Sequence, residues 1–421
     1  MSDSNYESEA QTRRRRIDPK LSSQGWQVCD HVPNGLLDGV SGLAVAEWPT
    51  DNGPADYALL SHGSVIGVVE AKKLTVGPQN VLTQAARYSQ GVKESQTTYG
   101  EGYRVPFLYS TNGEQVFFQD VRDPLNPSRK VKTFHTLGAL REKLSRNEAI
   151  LSKGLSEMPF APGAVRPYQE EAILAVEKAI QNRTRQMMVV MATGTGKTRT
   201  TIQLAYRLMK SGLAKRVLFL VDRRALAAQT VRAFASFECE PGLKFDKTYE
   251  VYSQKFSQSD LDDDSGEKFD PKVLPNRYLT DPQPGDTFVY VSTIQRMAIN
   301  LFGRQGMFES NEEQEEGAEL MNIPIHAFDL IIADECHRGY SSKEEAVWRD
   351  TLDHFDAVKI GLTATPAAHT VAFFHDPVYR YSYEQAVKEG FLVDFDVVKV
   401  KSDIRIEGIN WKEGGTAAFV D

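Results

Sequence analysis

One stretch constrains the fold of this chain more than any other, the run from Val189 to Thr198, which reads VVMATGTGKT. The β-branched start predicts a buried strand, and the glycine-rich turn after it delivers Lys197 and Thr198 to the start of a helix. Small residues let backbone N–H groups close around phosphate oxygens, while the lysine reaches the terminal phosphates and the threonine hydroxyl ligates Mg²⁺. The stretch therefore predicts a nucleotide-binding loop formed by Thr193, Gly194, Thr195, Gly196, Lys197 and Thr198.

Composition indicates an ordinary globular protein. A length of 421 residues suggests two or three domains, and 41% hydrophobic with 25% charged residues supplies ample core. The net charge of −8 means that a DNA site must be a local basic groove on an acidic body. The three scattered cysteines favour a reducing compartment, and no apolar run approaches the ~18 residues that span a bilayer. We expect a cytoplasmic protein without a membrane partner.

Two β-rich runs near the front of the chain flank the turn Ser61-His62-Gly63-Ser64 and predict a hairpin. Asp56 begins the first strand, and alternation puts Glu70 and Lys72 on one face of the second. Two carboxylates and a lysine at the end of an apolar strand are costly unless they bind something. Asp56 and Glu70 are thus candidate metal ligands, and Lys72 is a candidate for polarising or deprotonating a metal-bound water. A structural salt bridge is the alternative interpretation.

This Asp-…-Glu-x-Lys arrangement resembles the PD-(D/E)xK nuclease superfamily, although the proline, Pro54, stands one place early. Gln84 and Tyr88, one turn apart on a predicted helix, resemble an accessory motif of the nuclease domain in type I restriction endonucleases and their recombination-nuclease relatives. The resemblance implies that this pair contacts a phosphate or orders the lysine, and that Glu9 completes the site. The alternative makes Tyr88 a core aromatic. For the arginine run 13–16, a solvated helix face is favoured over a phosphate contact.

A second acidic site is predicted after the apolar run that ends at Ala333. Asp334 would hold a metal ion, and Glu335 would orient or deprotonate the attacking water. Cys336 is expected to be a packing residue. Alternating strands and helices around this segment predict a parallel, doubly wound sheet.

The phosphate loop, the Asp-Glu-Cys-His run at 334–337 and the Thr-Ala-Thr turn at 363–365 follow the order seen in superfamily 2 helicases, which this half of the chain resembles. The resemblance implies that Gln169 reads the adenine of ATP. It also implies that His337, Thr363 and Thr365 couple the nucleotide state to the grip on DNA.

Two further segments resemble the DNA-facing elements of these helicases. Arg223 and Arg224 follow one predicted strand, and Ser292, Thr293 and Gln295 stand at the end of another. The resemblance implies that all five contact the DNA backbone.

A nuclease first, a helicase second and the connector 379–394 together resemble the N-terminal part of the restriction subunit of type I restriction–modification enzymes. We therefore expect a nuclease-like α/β domain at 1–153, a linker at 154–165, a RecA-like parallel-sheet lobe at 166–390, and a connector or the start of a second lobe at 391–421. The resemblance implies ATP and Mg²⁺ as cofactors, duplex DNA as the substrate, and methyltransferase and specificity subunits as partners.

The residues after 390 are too few for a second lobe, which needs about 150. We expect a truncated chain that binds ATP and hydrolyses it very slowly, because a missing arginine finger costs ~10³–10⁵ in rate. Two alternatives remain. One is a stand-alone repair or remodelling helicase whose front domain only grips DNA, and the other is a catalytically silent assembly module.

Overall fold

The chain folds around two seven-stranded sheets, one mixed and one parallel. The computed structural model describes residues 7–31, 41–78, 82–93, 97–161, 163, 165–256, 271–304, 318–336 and 342–394. No helix within these ranges is long and apolar enough to cross a membrane.

The first sheet keeps its strands in sequence order. Only the β1–β2 and β4–β5 pairs are parallel. The predicted hairpin is confirmed as β3–β4, and its turn residues His62 and Gly63 have φ of 49° and 77°, the left-handed pair that suits a two-residue hairpin turn. The strands are β1 (Gln27–Asp30), β2 (Leu43–Trp48), β3 (Ala55–Ser61), β4 (Ser64–Ala71), β5 (Phe107–Thr111), β6 (Val116–Asp120) and β7 (Arg129–Val131).

Helices cover both faces of this sheet because both faces are apolar. Ile17, Trp26 and Phe134 pack on one face, and Leu82 and Ala85 pack on the other. Gly154, where the sequence predicts that a linker begins, lies within the last helix. The helices are Glu9–Thr12, a π-helical turn Arg13–Ile17, Asp18–Ser23, Leu82–Gln90, Leu137–Ser145 and Glu148–Ser156.

The second sheet has the order β12-β13-β9-β14-β15-β8-β16, and every neighbouring pair is parallel. This confirms the predicted RecA-like parallel sheet. Its strands are β8 (Gln186–Met191), β9 (Arg216–Val221), β12 (Glu250–Ser253), β13 (Phe288–Thr293), β14 (Leu330–Ala333), β15 (Val358–Thr363) and β16 (Pro377–Tyr381), with a small hairpin of β10 (Glu238–Glu240) and β11 (Leu243–Lys244) outside it.

Helices again cover both faces, as a sheet of buried parallel strands requires. Two separate apolar cores result, one on each face. The helices are Pro167–Gln181, Lys197–Lys210, Arg224–Ser236, Arg277–Thr280, Ile294–Phe302, Ser342–His354, Ala368–Phe374 and Tyr383–Lys388, with a 3₁₀ turn at Phe245–Lys247.

The first domain packs against the amino-terminal ends of the strands of the parallel sheet. Asp356, two residues before β15, accepts two hydrogen bonds from Arg129 at 2.6 and 2.9 Å and contacts His135 Nε2 at 2.8 Å. Asp329, one residue before β14, accepts from Arg146 at 2.9 Å. The glycine-rich loop follows the carboxyl end of β8. The first domain and this loop therefore lie at opposite ends of the parallel strands.

Candidate active sites

The structure brings Asp56, Glu70 and Lys72 together at the open end of the β3–β4 hairpin. Tyr57 pairs with Val69, so Asp56 and Glu70 stand opposite each other one step further along. The ammonium of Lys72, just beyond β4, donates a hydrogen bond to the Glu70 carboxylate. Asp56 Oδ2 accepts from the backbone N–H of Ala71 at 2.7 Å. The three side chains therefore form one cluster, called here the acid–lysine cluster.

Electrostatics in this cluster favour a bound cation. Burial raises the pKa of Glu70 to about 7, and the neighbouring charge of Asp56 adds to the shift. Burial also raises the pKa of Asp56, against the opposing effects of the Ala71 N–H and Arg13. Burial alone would lower the pKa of Lys72, but the hydrogen bond and charge of Glu70 outweigh it and raise the pKa. Two adjacent carboxylates that are difficult to ionise together suit a hard divalent metal.

The ligand set for such a metal is small. Within the described ranges, no group of three or more His, Cys, Asp or Glu side chains is arranged to hold a metal ion. Asp56 and Glu70 fit a magnesium site only if backbone oxygen and water complete the coordination. Mg²⁺ usually keeps several water ligands and binds to one or two carboxylates, so this small ligand set is compatible with it.

Two of the three predicted accessory residues, Tyr88 and Glu9, interact electrostatically with this cluster. Burial raises the pKa of the Tyr88 phenol, and so do the charges of Glu70 and Asp56, which places the phenol near them. Tyr88 also packs against the core of that face, as the core-aromatic interpretation expects, and its accessory role stays a prediction. The charge of Glu9 acts on Asp56 and on Lys72. Gln84 is exposed on the same helix as Tyr88.

Arg13 is a neighbour of this cluster that sequence reasoning missed. Only 16% of its side chain is exposed, whereas a solvated helix face was expected. Its guanidinium lies 4.8 Å from the centre of the Tyr57 ring, donates to the main-chain oxygen of Asp56 at 3.2 Å and contacts the Glu47 carboxylate. The partners are far away in sequence, so no local pattern signals these contacts.

The predicted nucleotide loop joins β8 to the helix Lys197–Lys210. Gly194 and Gly196 both have φ of 84°, a left-handed conformation that glycine adopts without strain. Thr195 closes the turn, because its hydroxyl donates to the Ala192 oxygen at 2.6 Å. Thr193 is exposed, and Thr198 is half-buried in the first helical turn. The loop therefore has the geometry of a phosphate cradle at a helix N-terminus.

The two predicted acids face this loop. Lys197 Nζ lies 3.5 Å from Glu335 Oε1. Asp334 follows β14, and Glu335 N–H donates to Asp334 Oδ1 at 3.0 Å. The acids follow the carboxyl end of β14, and the loop follows the carboxyl end of β8. Since only β15 lies between these two strands, the acids and the loop lie at the same end of the sheet, separated by one strand. Cys336 is buried.

Of the predicted coupling residues, Thr363 and Thr365 lie at and just after the end of β15, the strand that pairs with β14. Thr363 ends β15 and accepts from the N–H of Thr365 at 3.1 Å. His337 lies outside the described residues.

Gln169 is hydrogen-bonded to the main chain of the nucleotide loop. Its amide Nε2 donates to the Thr195 oxygen at 3.0 Å, and its Oε1 accepts from Arg166 N–H at 2.9 Å. Tyr168 donates to the same Thr195 oxygen at 2.8 Å and stacks on Tyr381 with ring centres 4.1 Å apart. Both residues thus order the loop, and the adenine contact of Gln169 stays a prediction.

The predicted DNA-contacting residues differ in exposure: Arg223 is exposed, Arg224 and Gln295 are half-buried, and Ser292 and Thr293 are buried. Arg223 is 67% exposed, with Asp222 at 3.5 Å. Arg224 donates to the Lys255 oxygen at 3.3 Å. Both lie at the start of the helix after β9.

Ser292 and Thr293 are buried, which corrects their expected place on a DNA-facing surface. Gln254 Oε1 accepts from Thr293 N–H at 3.0 Å and from the two hydroxyls at 3.2 and 3.4 Å. Thr293 also caps the helix Ile294–Phe302. Direct DNA contact would require this network to open, whereas Gln295 is half-buried and closer to solvent.

Comparison with known proteins agrees with both halves of this description. The family model "Type III restriction enzyme, res subunit" matches residues 163–368, and "Type I restriction enzyme EcoKI endonuclease subunit second domain" matches residues 39–144. The EcoKI endonuclease subunit of Escherichia coli K12 is 32% identical over 445 residues, covering 90% of this chain and 34% of the relative. The EcoAI endonuclease subunit of Escherichia coli is 30% identical over 434 residues, covering 97% and 46%.

A solved fragment of an HsdR subunit from Vibrio vulnificus YJ016 matches with a TM-score of 0.34 and 22% identity, covering 91% of this chain and 61% of that one. The chain spans between a third and a half of the two curated relatives described above. It belongs to the endonuclease (HsdR-type) subunits of type I restriction enzymes.

Proposed function

We propose that this chain couples ATP-dependent translocation on duplex DNA to Mg²⁺-dependent endonucleolytic cleavage, as part of a type I restriction–modification enzyme. One observation carries the proposal. The acid–lysine cluster and the pair formed by Lys197 and Glu335 occupy separate domains of one chain, and its curated relatives are named endonuclease subunits.

Cleavage is assigned to the acid–lysine cluster. Asp56 and Glu70 hold Mg²⁺, and the metal supplies charge stabilisation to the phosphodiester. The Ala71 N–H fixes one oxygen of Asp56, so that carboxylate is oriented in advance. Lys72 is anchored by Glu70 and is the candidate for positioning the attacking water. Tyr88, Gln84 and Glu9 are the accessory groups around them.

ATP hydrolysis is assigned to the edge where the loop meets the acids. Backbone N–H groups of the loop and Lys197 bind the phosphates. Thr198 and Asp334 hold the magnesium ion that accompanies ATP, and Glu335 orients the attacking water. Gln169 contacts the adenine, and Thr363 and Thr365 relay the nucleotide state to the DNA-binding elements.

The partners follow from the family. The curated relatives are named endonuclease subunits of type I restriction enzymes, and we assign methyltransferase and specificity subunits as the partners that direct this chain to DNA in the cytoplasm. Arg223, Arg224 and Gln295 are the backbone contacts that we assign to the motor lobe.

Matched lysine variants of the complete enzyme test the assignment. Lys72→Ala abolishes DNA cleavage and leaves ATP hydrolysis intact, because Lys72 belongs only to the acid–lysine cluster. Lys73→Ala is the control, since Lys73 is the exposed neighbour with the same charge. Lys197→Ala abolishes both activities. Cleavage that survives Lys72→Ala removes the nuclease assignment and leaves the motor assignment standing.

A further inference from the structure

The four consecutive arginines of this chain lie on a π-helical turn, Arg13–Ile17. An α-helix advances 100° per residue, so residues five apart point in different directions. Hydrogen bonds of the i→i+5 kind bring such residues onto one face, and π turns of this kind are frequent at functional sites. Thr12 and Ile17, five apart, are both fully buried. The turn is therefore anchored on both sides of the run, and of the four arginines only the middle two, Arg14 and Arg15, are exposed.

The π turn is fixed beside the acid–lysine cluster. Arg13 Nη1 lies 3.4 Å from Asp56 Oδ1, and Nη2 donates to the Asp56 main-chain oxygen at 3.2 Å. At the other end, Arg16 binds Glu7 at 2.8 Å and Glu114 at 3.4 Å. Arg13 and Arg16 thus hold the turn in place, and their charges are already compensated by carboxylates.

The two middle arginines face solvent. Arg14 is exposed, and 68% of the Arg15 side chain is exposed, with Glu7 as a distant partner at 3.7 Å. They are the next two residues after the one that touches Asp56. Two exposed guanidinium groups therefore lie beside the proposed cleavage site, on a turn that ion pairs hold at both ends.

We propose that Arg14 and Arg15 grip the phosphate backbone of duplex DNA and hold it against the acid–lysine cluster. This rests on the proposed nuclease function. Duplex DNA carries one negative charge per ~1.7 Å, so each 10 Å of its axis carries about six negative charges. A body with a net charge of −8 repels that polymer, and a local basic element must offset the repulsion where the strand is cut. The planar guanidinium fork also suits phosphate geometry.

Salt-dependent DNA binding by the 421-residue chain tests the grip, measured by fluorescence anisotropy on a labelled duplex. Each lost phosphate contact lowers the slope of log K against log salt by about 0.9, which corresponds to a loss of about 8-fold in affinity at 0.1 M salt. We expect Arg14→Gln and Arg15→Gln each to show this change, and the double variant to lose about 60-fold. Arg14→Lys and Arg15→Lys keep the charge and should retain most of the slope.

Arg141→Gln is the matched control, because Arg141 is an exposed arginine on the helix Leu137–Ser145. Circular dichroism melting confirms that each variant is folded. Binding and slope equal to those of the control overturn the proposal. So does a double variant that binds DNA normally and fails only to associate with a protein subunit.

The two proposals fail separately. If Lys72→Ala leaves cleavage intact while the double arginine variant loses DNA affinity and slope, the nuclease assignment falls and the grip stands. If Lys72→Ala abolishes cleavage while the double variant binds as the wild type does, the grip falls alone.

Discussion

The junction between the two domains depends on one buried carboxylate, and Asp356→Asn tests it. Only 2% of the Asp356 side chain is exposed, and it contacts Arg129, His135 and Arg185 at 2.6 to 2.9 Å, with Lys143 at 3.5 Å. Burial alone would raise the pKa of Asp356, but the charges of Arg129, Arg185 and Lys143 hold it well below the usual value. The carboxylate is therefore ionised and fully paired at neutral pH.

The expected loss is large because asparagine removes the anion and leaves the cations buried. Breaking a buried ion pair by removing one partner costs about 3–5 kcal/mol, and so small an exposure leaves little solvent screening to reduce that figure. Asp350→Asn is the control, since Asp350 is an exposed acid on the helix just before Asp356. Urea unfolding at pH 7, followed by circular dichroism and tryptophan fluorescence, measures both variants.

The pH dependence has a definite sign. The pKa of Asp356 is lower in the folded chain than the unfolded value of about 3.9, so its stabilisation is present above that pH and is lost as the pH falls towards the folded pKa. The difference between wild type and Asp356→Asn should accordingly shrink below about pH 4. A loss under about 1 kcal/mol at pH 7, equal to that of the control, would show that the junction does not depend on the charge of Asp356.

Three further outcomes are expected. Gly196→Ala should abolish ATP binding measured by calorimetry, because the φ angle of Gly196 is +84° and the new Cβ would lie 2.6 Å from Gln169 Nε2. Gly154→Ala is the control and should bind ATP normally, because a Cβ at this helical position meets no atom within 4 Å. Glu335→Gln should bind ATP and hydrolyse it ~10²–10⁴-fold more slowly in the complete enzyme, and unchanged turnover would remove the role of Glu335 as the water-orienting group. Glu70→Gln should stabilise the metal-free chain at pH 8 and have little effect at pH 5. The reason is that burial raises the pKa of Glu70 to about 7, so that ionisation of its carboxyl lowers the stability of the folded chain only at higher pH. Thermal melting that shows no pH-dependent gain in stability would contradict this role of burial.

Features carried by local sequence could be predicted. The loop Thr193 to Thr198 follows from the spacing of glycines between a strand and a helix, and the structure places Gly194 and Gly196 in the left-handed conformation that this turn requires. The β3–β4 hairpin follows from alternation and a two-residue turn, so the proximity of Asp56 and Glu70 could be inferred as well.

Features that depend on distant packing could not be predicted. Gln254 lies 39 residues before Thr293, so nothing local shows that it draws Thr293 into the interior. Arg13 lies 43 residues from Asp56 in the sequence. Its position over Tyr57 depends on a π-helical turn, and no periodic pattern of hydrophobic residues predicts such a turn. The junction at Asp356 joins residues up to 227 positions apart. Such contacts arise from tertiary structure and leave no periodic signal.

We propose that two metal-dependent sites serve different reactions in one chain. Anomalous diffraction at the manganese edge, from crystals grown with Mn²⁺ and a non-hydrolysable ATP analogue, tests it most directly. We expect one peak between the carboxylates of Asp56 and Glu70 and a second between Thr198, Asp334 and the nucleotide phosphates. A peak at the nucleotide alone, with Asp56 and Glu70 free of metal at saturating Mn²⁺, would rule out a metal-dependent nuclease site at these two carboxylates.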